Sequence, residues 1–304
     1  MNLSRRRLLV AGAAGAAFIG LQRLHALGAP RSPSAFGPLQ RDPGGILDLP
    51  AGFTYRVIAR AGTPMADGLL VPGIPDGMAA FDGGDGRVRL VCNHELRPDR
   101  VALHGSAFGP GFERLPRVAR GLLYDAGGSQ PSCGGTTTLI YDPAAGRVER
   151  QWLSLAGTET NCAGGPTPWG SWLSCEESVS RRDTIHARDH GYVFEVPAKA
   201  DTLVPAVPLT AMGRFNHEAA AVDPRSGAVY LSEDRPDGLL YRLLPDRPGE
   251  LLAGGRLQAL ALRHWTAADT RNWRGAPQTL PLRQAMATHW IDLDEVQAPQ
   301  DDLR

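Results

Sequence analysis

Within TNCAGGPTPWGSWLSCEE (160–177) a single cysteine, Cys162, sits in a glycine-rich turn, and an apolar run ends in the paired acids Glu176 and Glu177. A thiolate is a nucleophile and a soft metal ligand, whereas carboxylates supply hard oxygen ligands. Asn161, Gly164 and Gly165 leave the sulfur unobstructed, so it can ligate a metal, attack a substrate or form a disulfide. Cys175, inside the apolar run, reads as a small buried residue. Other acids end similar runs: Glu95 closes VCNHE (91–95), and Glu233 and Asp234 follow VYLS (229–232). Brought together, such carboxylates stay ionised only with cations among them. Calcium suits a hard oxygen set, as do other divalent or trivalent metals. RFNHEAAAVDP (214–224) repeats the Asn-His-Glu of residues 93–95 and places Glu218 ahead of three alanines. His94 and His217, beside these glutamates, read equally as ligands, proton carriers, orienting partners or buried structural residues.

The elements that would position these groups are short. From Gly52 onward, apolar runs are cut by Gly, Pro, Asp and Asn at brief intervals, which predicts an all-β domain. Expected strands cover 54–59, 87–92, 136–141, 148–153, 171–175, 192–196, 228–232 and 239–244, with weak helical patterns only near 265–272 and 281–288. DPAAG (142–146) and DPRSG (223–227) are turn sequences. The stretches 82–95, 167–177 and 223–235 share a turn, a glycine, an apolar strand and a terminal acid. Repeated β units with acids at equivalent ends predict a β-propeller, with uneven insertions between blades.

The chain of 304 residues carries 32 basic and 32 acidic side chains, a balance that suggests no polyanion such as nucleic acid as partner. Residues 1–28 read as an export signal without a membrane span: Ser4-Arg5-Arg6-Arg7-Leu8-Leu9 resembles a twin-arginine motif, followed by a weakly hydrophobic Ala/Gly segment. Residues 29–50 form a Pro/Gly-rich arm, and 51–304 the propeller domain. The four cysteines, Cys92, Cys133, Cys162 and Cys175, permit two disulfides in an exported chain. No phosphate-binding P-loop, G-x-S-x-G elbow or H-E-x-x-H zinc motif is present.

PDGMAAF at 75, VCNHE at 91, GGTTTL at 134, TNCAGGPTPWGSWLSCEE at 160, GYVFEV at 191, GRFNHEAA at 213 and VYLSEDR at 229, with the twin-arginine signal, resemble the PhoX-type alkaline phosphatases and their secreted relatives. The resemblance spans roughly residues 45–300. It implies a propeller whose channel mouth holds Fe3+ and Ca2+ and hydrolyses phosphomonoesters in the periplasm or outside the cell. It matches Cys162 to a bridging thiolate, Glu218 and one of Glu176 or Glu177 to carboxylate ligands, and Glu95 and Asp234 to the calcium sites. The family's further blade, with an Arg-Gly-Glu-Gly motif, has no counterpart before Arg304, and Lys199 is the only lysine. The expectation is therefore a propeller lacking its C-terminal part, with activity of these residues alone in question. Its rivals are a calcium-dependent ester or lactone hydrolase and a non-catalytic, calcium-binding periplasmic propeller.

Overall fold

The computed structural model describes residues 35–128, 130–275, 279–298, 300, 301 and 303. The export signal expected over 1–28 lies outside the described residues. The described residues fall into two compact units that divide between Val57 and Ile58. In the first, β1 (Leu39–Gln40) pairs with β2 (Leu49–Pro50). The turn between them folds around Asp42, which accepts hydrogen bonds from the N–H groups of Gly44, Ile46 and Leu47 and from the Tyr55 hydroxyl.

The second unit is built from three antiparallel sheets in chain order. The first comprises β3 (Pro75–Gly84), β4 (Arg87–His94), β5 (Gly134–Asp142) and β6 (Arg147–Thr158). The second comprises β7 (Asn161–Pro166), β8 (Ser171–Glu176) and β9 (Val193–Pro197). The third comprises β10 (His217–Val222), β11 (Val229–Glu233), β12 (Leu240–Pro245), β13 (Gly255–Leu262) and β14 (Thr288–Asp292). Within each sheet the strands pair in sequence order, as hairpin-connected strands do when turns are short. The all-β expectation holds. The three sheets do not close into a ring among the described residues.

Apolar cores lie between successive sheets. Val91 and Leu155 of the first meet Trp172, Phe194 and Val196 of the second. Leu173, Cys175 and Val193 of the second meet Val229, Leu231, Tyr241 and Leu243 of the third. Each such side chain, almost wholly buried, contributes about 1.5–3 kcal/mol relative to exposure.

The first strands of the sheets, β3, β7 and β10, run side by side. Their sequences are correspondingly small. A Cβ on Gly77 would sit 2.7 Å from Ala163 Cα, and one on Gly165 would collide with the Ala220 carbonyl. This close approach of backbones brings the strand ends of three sheets to one place. Two expectations fail: residues 54–59 form no strand, and 265–272 and 281–287 form turns and coil, not helix, with Thr288 opening β14. In the former helical pattern, Asp269 folds back onto the Arg271 amide and guanidinium, a local bonding that competes with helix. The four cysteines are all free thiols.

Candidate metal centre

Three β-bulges build the site. In the first sheet Pro75 pairs with His94 and Met78 with Cys92, so Asp76 and Gly77 oppose one residue. In the second, Asn161 pairs with Glu176 and Gly164 with Ser174, leaving Cys162 and Ala163 opposite one residue. In the third, His217 pairs with Glu233 and Ala220 with Leu231, leaving Glu218 and Ala219. The same irregularity thus recurs at the same place in three hairpins. A bulge re-aims a side chain that regular alternation would send elsewhere, and here each bulge begins with a ligand-type residue followed by Gly or Ala.

The partner strands complete the pattern. One residue past the paired position stand Glu95, Glu177 and Asp234. Their backbone N–H groups donate to the carbonyls of Ile74 (2.9 Å), Thr160 (2.9 Å) and Asn216 (3.2 Å), each two residues before the bulged ligand residue. Ile74 and Thr160 hold left-handed φ values of 44° and 48°, a costly state for β-branched side chains. Local strain therefore sits two residues from Asp76 and from Cys162.

The six side chains converge. The ligand atoms of Cys162, Glu177 and Glu218 lie within 4.8 Å of one another. Cys162 Sγ is 3.5 Å from Glu218 Oε1 and 3.8 Å from Asp76 Oδ1. Asp234 lies close enough to raise the Glu177 carboxyl, and Glu95 feels the charge of both Asp76 and Glu218. Burial and then the crowding acids, Glu218 first, push the Glu177 carboxyl up to about 7. Burial also raises the Cys162 thiol, reinforced by Glu218, Asp76 and Glu177. Burial and neighbouring Asp76 and Glu218 raise Glu95 against the opposing pull of Arg97 and Arg100. The donor set is one thiol and five carboxylates, and the raised Cys162, Glu177 and Glu95 are the electrostatic signature of a place suited to cations.

The structure divides the sequence candidates. Cys162, Glu95, Glu177, Glu218 and Asp234 meet at this cluster. Glu176 does not, because successive strand residues face opposite ways. It is fully buried and accepts bonds from the N–H groups of Glu159, Gly191 and Tyr192, with His190 Nδ1 at 2.7 Å. Glu233 likewise turns inward, accepting from the Tyr241 hydroxyl and the Leu239 N–H. Asp76 was not among the sequence candidates; the signal for it is an acid followed by glycine, in register with Cys162-Ala163 and Glu218-Ala219.

The two Asn-His-Glu motifs share a buried histidine, but only Asn93 of the two asparagines is fully buried. Its Nδ2 donates to the Cys162 and Ala163 carbonyls at 2.8 Å each. His94 lies between Gly73 O and Thr137 Oγ1, and His217 stacks on Phe215 with Nε2 3.1 Å from Gly213 O. Both are core residues held neutral. Burial lowers His94 to about 4 and His217 to about 3. An unfolded histidine titrates near 6.5, so below that pH the unfolded chain takes up protons that the folded chain refuses. Stability attributable to these rings is intact above pH 6.5 and falls as pH drops, by about 1.4 kcal/mol per unit per histidine. Urea unfolding between pH 6 and 4.5 should show that slope reduced by about this amount in His217→Gln; an unchanged slope contradicts the assignment.

Antiparallel sheets joined through their first strands, with bulges presenting acids and a thiol at one point, define an all-β protein with a candidate metal centre. The family model described as alkaline phosphatase PhoX matches residues 34–303, and the chain belongs to that family, whose members are metal-dependent phosphatases. A search of curated proteins found no match to the chain.

Proposed function

We propose that this chain is an exported phosphomonoester hydrolase whose iron and calcium ions are held by Cys162, Glu177 and Glu218 together with Asp76, Glu95 and Asp234. The observation that carries the reading is the convergence of five carboxylates on one thiol. Among the described residues none of the six forms an ion pair with a basic side chain, so the donor set fits cations and is poorly balanced without them. When bound, the cations supply polarisation of the phosphoryl oxygens and stabilisation of charge in an in-line displacement.

The chain's own groups set the conditions. Burial and the neighbouring acids raise both Cys162 and Glu177, and each must be deprotonated to ligate, so metal affinity rises with pH. Asp76 and Asp234 are solvent-exposed, which leaves the cluster open to a small phosphate ester. Arg97 and Arg100 lie two and five residues past Glu95, both beside Asp99, and leave a net positive charge near Glu95 that would favour an approaching dianion. Export through the twin-arginine route rests on residues 4–9 and would allow metal loading before release. No helix among the described residues is long and apolar enough to cross a membrane.

The test is metal analysis of the purified full chain after loading with Fe3+ and Ca2+, alongside hydrolysis of p-nitrophenyl phosphate at alkaline pH. The expected result is bound iron and calcium with turnover, and a loss of about 100-fold in iron affinity for Cys162→Ser and Glu218→Gln. Absence of both metals together with absence of hydrolysis overturns the proposal. Calcium uptake without hydrolysis selects a non-catalytic propeller instead.

A further inference from the structure

Glu176, which turns away from the cluster above, belongs to a second and wholly buried group. Glu159 follows β6, and His186 and His190 come from the loop between β8 and β9. Their ligand atoms all lie within 4.8 Å of one another. Glu159 is 2% exposed, His186 7% and His190 0%.

His186 is the telling residue. Its Nδ1 is 3.1 Å from Asp183 Oδ1, which fixes the ring. Its Nε2 is buried, makes no hydrogen bond, and faces Glu159 Oε2 at 3.4 Å. That separation is long for a charge-assisted hydrogen bond, which closes to about 2.7–2.9 Å. It is, however, the spacing of two donors sharing one ion: ligands about 2.0–2.1 Å from a tetrahedral metal stand about 3.3 Å apart. A ring whose outer nitrogen is held by a carboxylate while the other faces a second ligand is the usual setting of a metal-binding histidine.

His190 differs, for carboxylates hold both of its nitrogens, so it binds a cation only as the neutral ring and by giving up one of these contacts. Its Nδ1 lies 2.7 Å from Glu176 Oε1 and its Nε2 3.2 Å from Asp125 Oδ2. Whichever nitrogen turns to a cation, the other keeps a carboxylate partner. Charge balance points the same way. Glu176 and Asp125 are stabilised by backbone N–H groups, among them those of Tyr192, Gly191, Ala187 and Arg188. The Glu159 carboxylate has the Ser178 hydroxyl at 3.2 Å and the two imidazoles, a thin set of donors for an almost fully buried acid. A bridging His190 imidazolium accounts for Glu176 and Asp125; it leaves His186 Nε2 and Glu159 facing each other unbonded.

We propose that Glu159, His186 and His190 form a second metal site, for a divalent cation of zinc type, separate from the cluster at Cys162. An ion there ties the end of β6 to the loop after β8 and braces Glu176, whose neighbour Glu177 enters the first cluster. Nitrogen and carboxylate donors select a borderline cation such as Zn2+ or Co2+ over calcium.

The test uses the full chain carrying Cys162→Ser and Glu218→Gln, which disables the first cluster, titrated with Co2+ and with Zn2+. The expected result is one tightly held equivalent, with the visible absorption of four- or five-coordinate cobalt. Adding Glu159→Gln or His186→Asn should weaken that equivalent about 100-fold and remove the fall in melting temperature that a chelator causes in the parent. Glu159→Gln preserves shape, and it decides the matter if the His186 variant does not fold. A parent that retains no equivalent, or one whose affinity is unchanged by Glu159→Gln, overturns the proposal.

Discussion

Alanine at position 93 is expected to cost about 4 kcal/mol of stability and to abolish tight metal binding at Cys162. Asn93 is fully buried and uses its whole amide. Nδ2 donates to the Cys162 and Ala163 carbonyls, and Oδ1 accepts from Trp172 Nε1 and the Ser174 hydroxyl, all at 2.8 Å. Truncation strands two bulge carbonyls and an indole N–H; Ser174 keeps Asn161 Nδ2 as a partner. Each buried group left unsatisfied costs about 1–3 kcal/mol, less where water enters the hole. The side chain also ties β4 of the first sheet to β7 and β8 of the second, so its loss frees the bulge that aims Cys162. Asn93→Asp sharpens the test. It keeps both acceptor bonds but turns a second carboxylate oxygen against two carbonyls. Urea unfolding should therefore rank wild type above both variants, and the metal binding proposed for the Cys162 cluster should weaken in each. A variant with Asn93→Ala whose metal binding equals the wild type's would show that the bulge holds its shape without this tie.

What the sequence discloses follows from how the strands are used. β4, β8 and β11 read clearly because they bury Val91, Trp172, Leu173, Val229 and Leu231 between sheets, and burial demands apolar side chains. Their terminal acids were visible for the same reason, as breaks in an apolar run. β3, β7 and β10 are poorly legible: PDGMAAFDGG, NCAGGP and HEAAAV have little β propensity. They are strands because neighbouring backbones pack against them, and that proximity excludes the branched residues by which strands are recognised. The choice between Glu176 and Glu177 depends on register, which shifts every side chain to the other face with a one-residue slip. Asp76 was hidden because its role depends on a bulge, whose count of two residues against one exists only once strands are paired. The second histidine-carboxylate group was invisible because Glu159, His186 and His190 have no motif spacing; folding of the loop after β8 assembles them.

Those small first strands carry the other large expected effect. Gly165→Ala should destabilise the chain by about 3 kcal/mol and weaken metal binding at Cys162 as well. A Cβ at 165 would strike the carbonyl of Ala220, a backbone group with no rotamer to yield, and lie 2.8 Å from its carbon. β7 and β10 must therefore part, and Glu218, two residues from Ala220, moves away from the Cys162 sulfur that it now meets at 3.5 Å. Both losses share one cause, so they should appear together in thermal unfolding and in metal titration. Gly121→Ala is the control, since a Cβ there meets nothing within 4 Å and the residue is exposed; it should change neither property. If Gly165→Ala lost stability but bound metal as before, the spacing of the first strands would be a packing requirement alone. Loss of both would identify glycine at this position as the condition that lets a thiol on one sheet and a carboxylate on the next approach one ion.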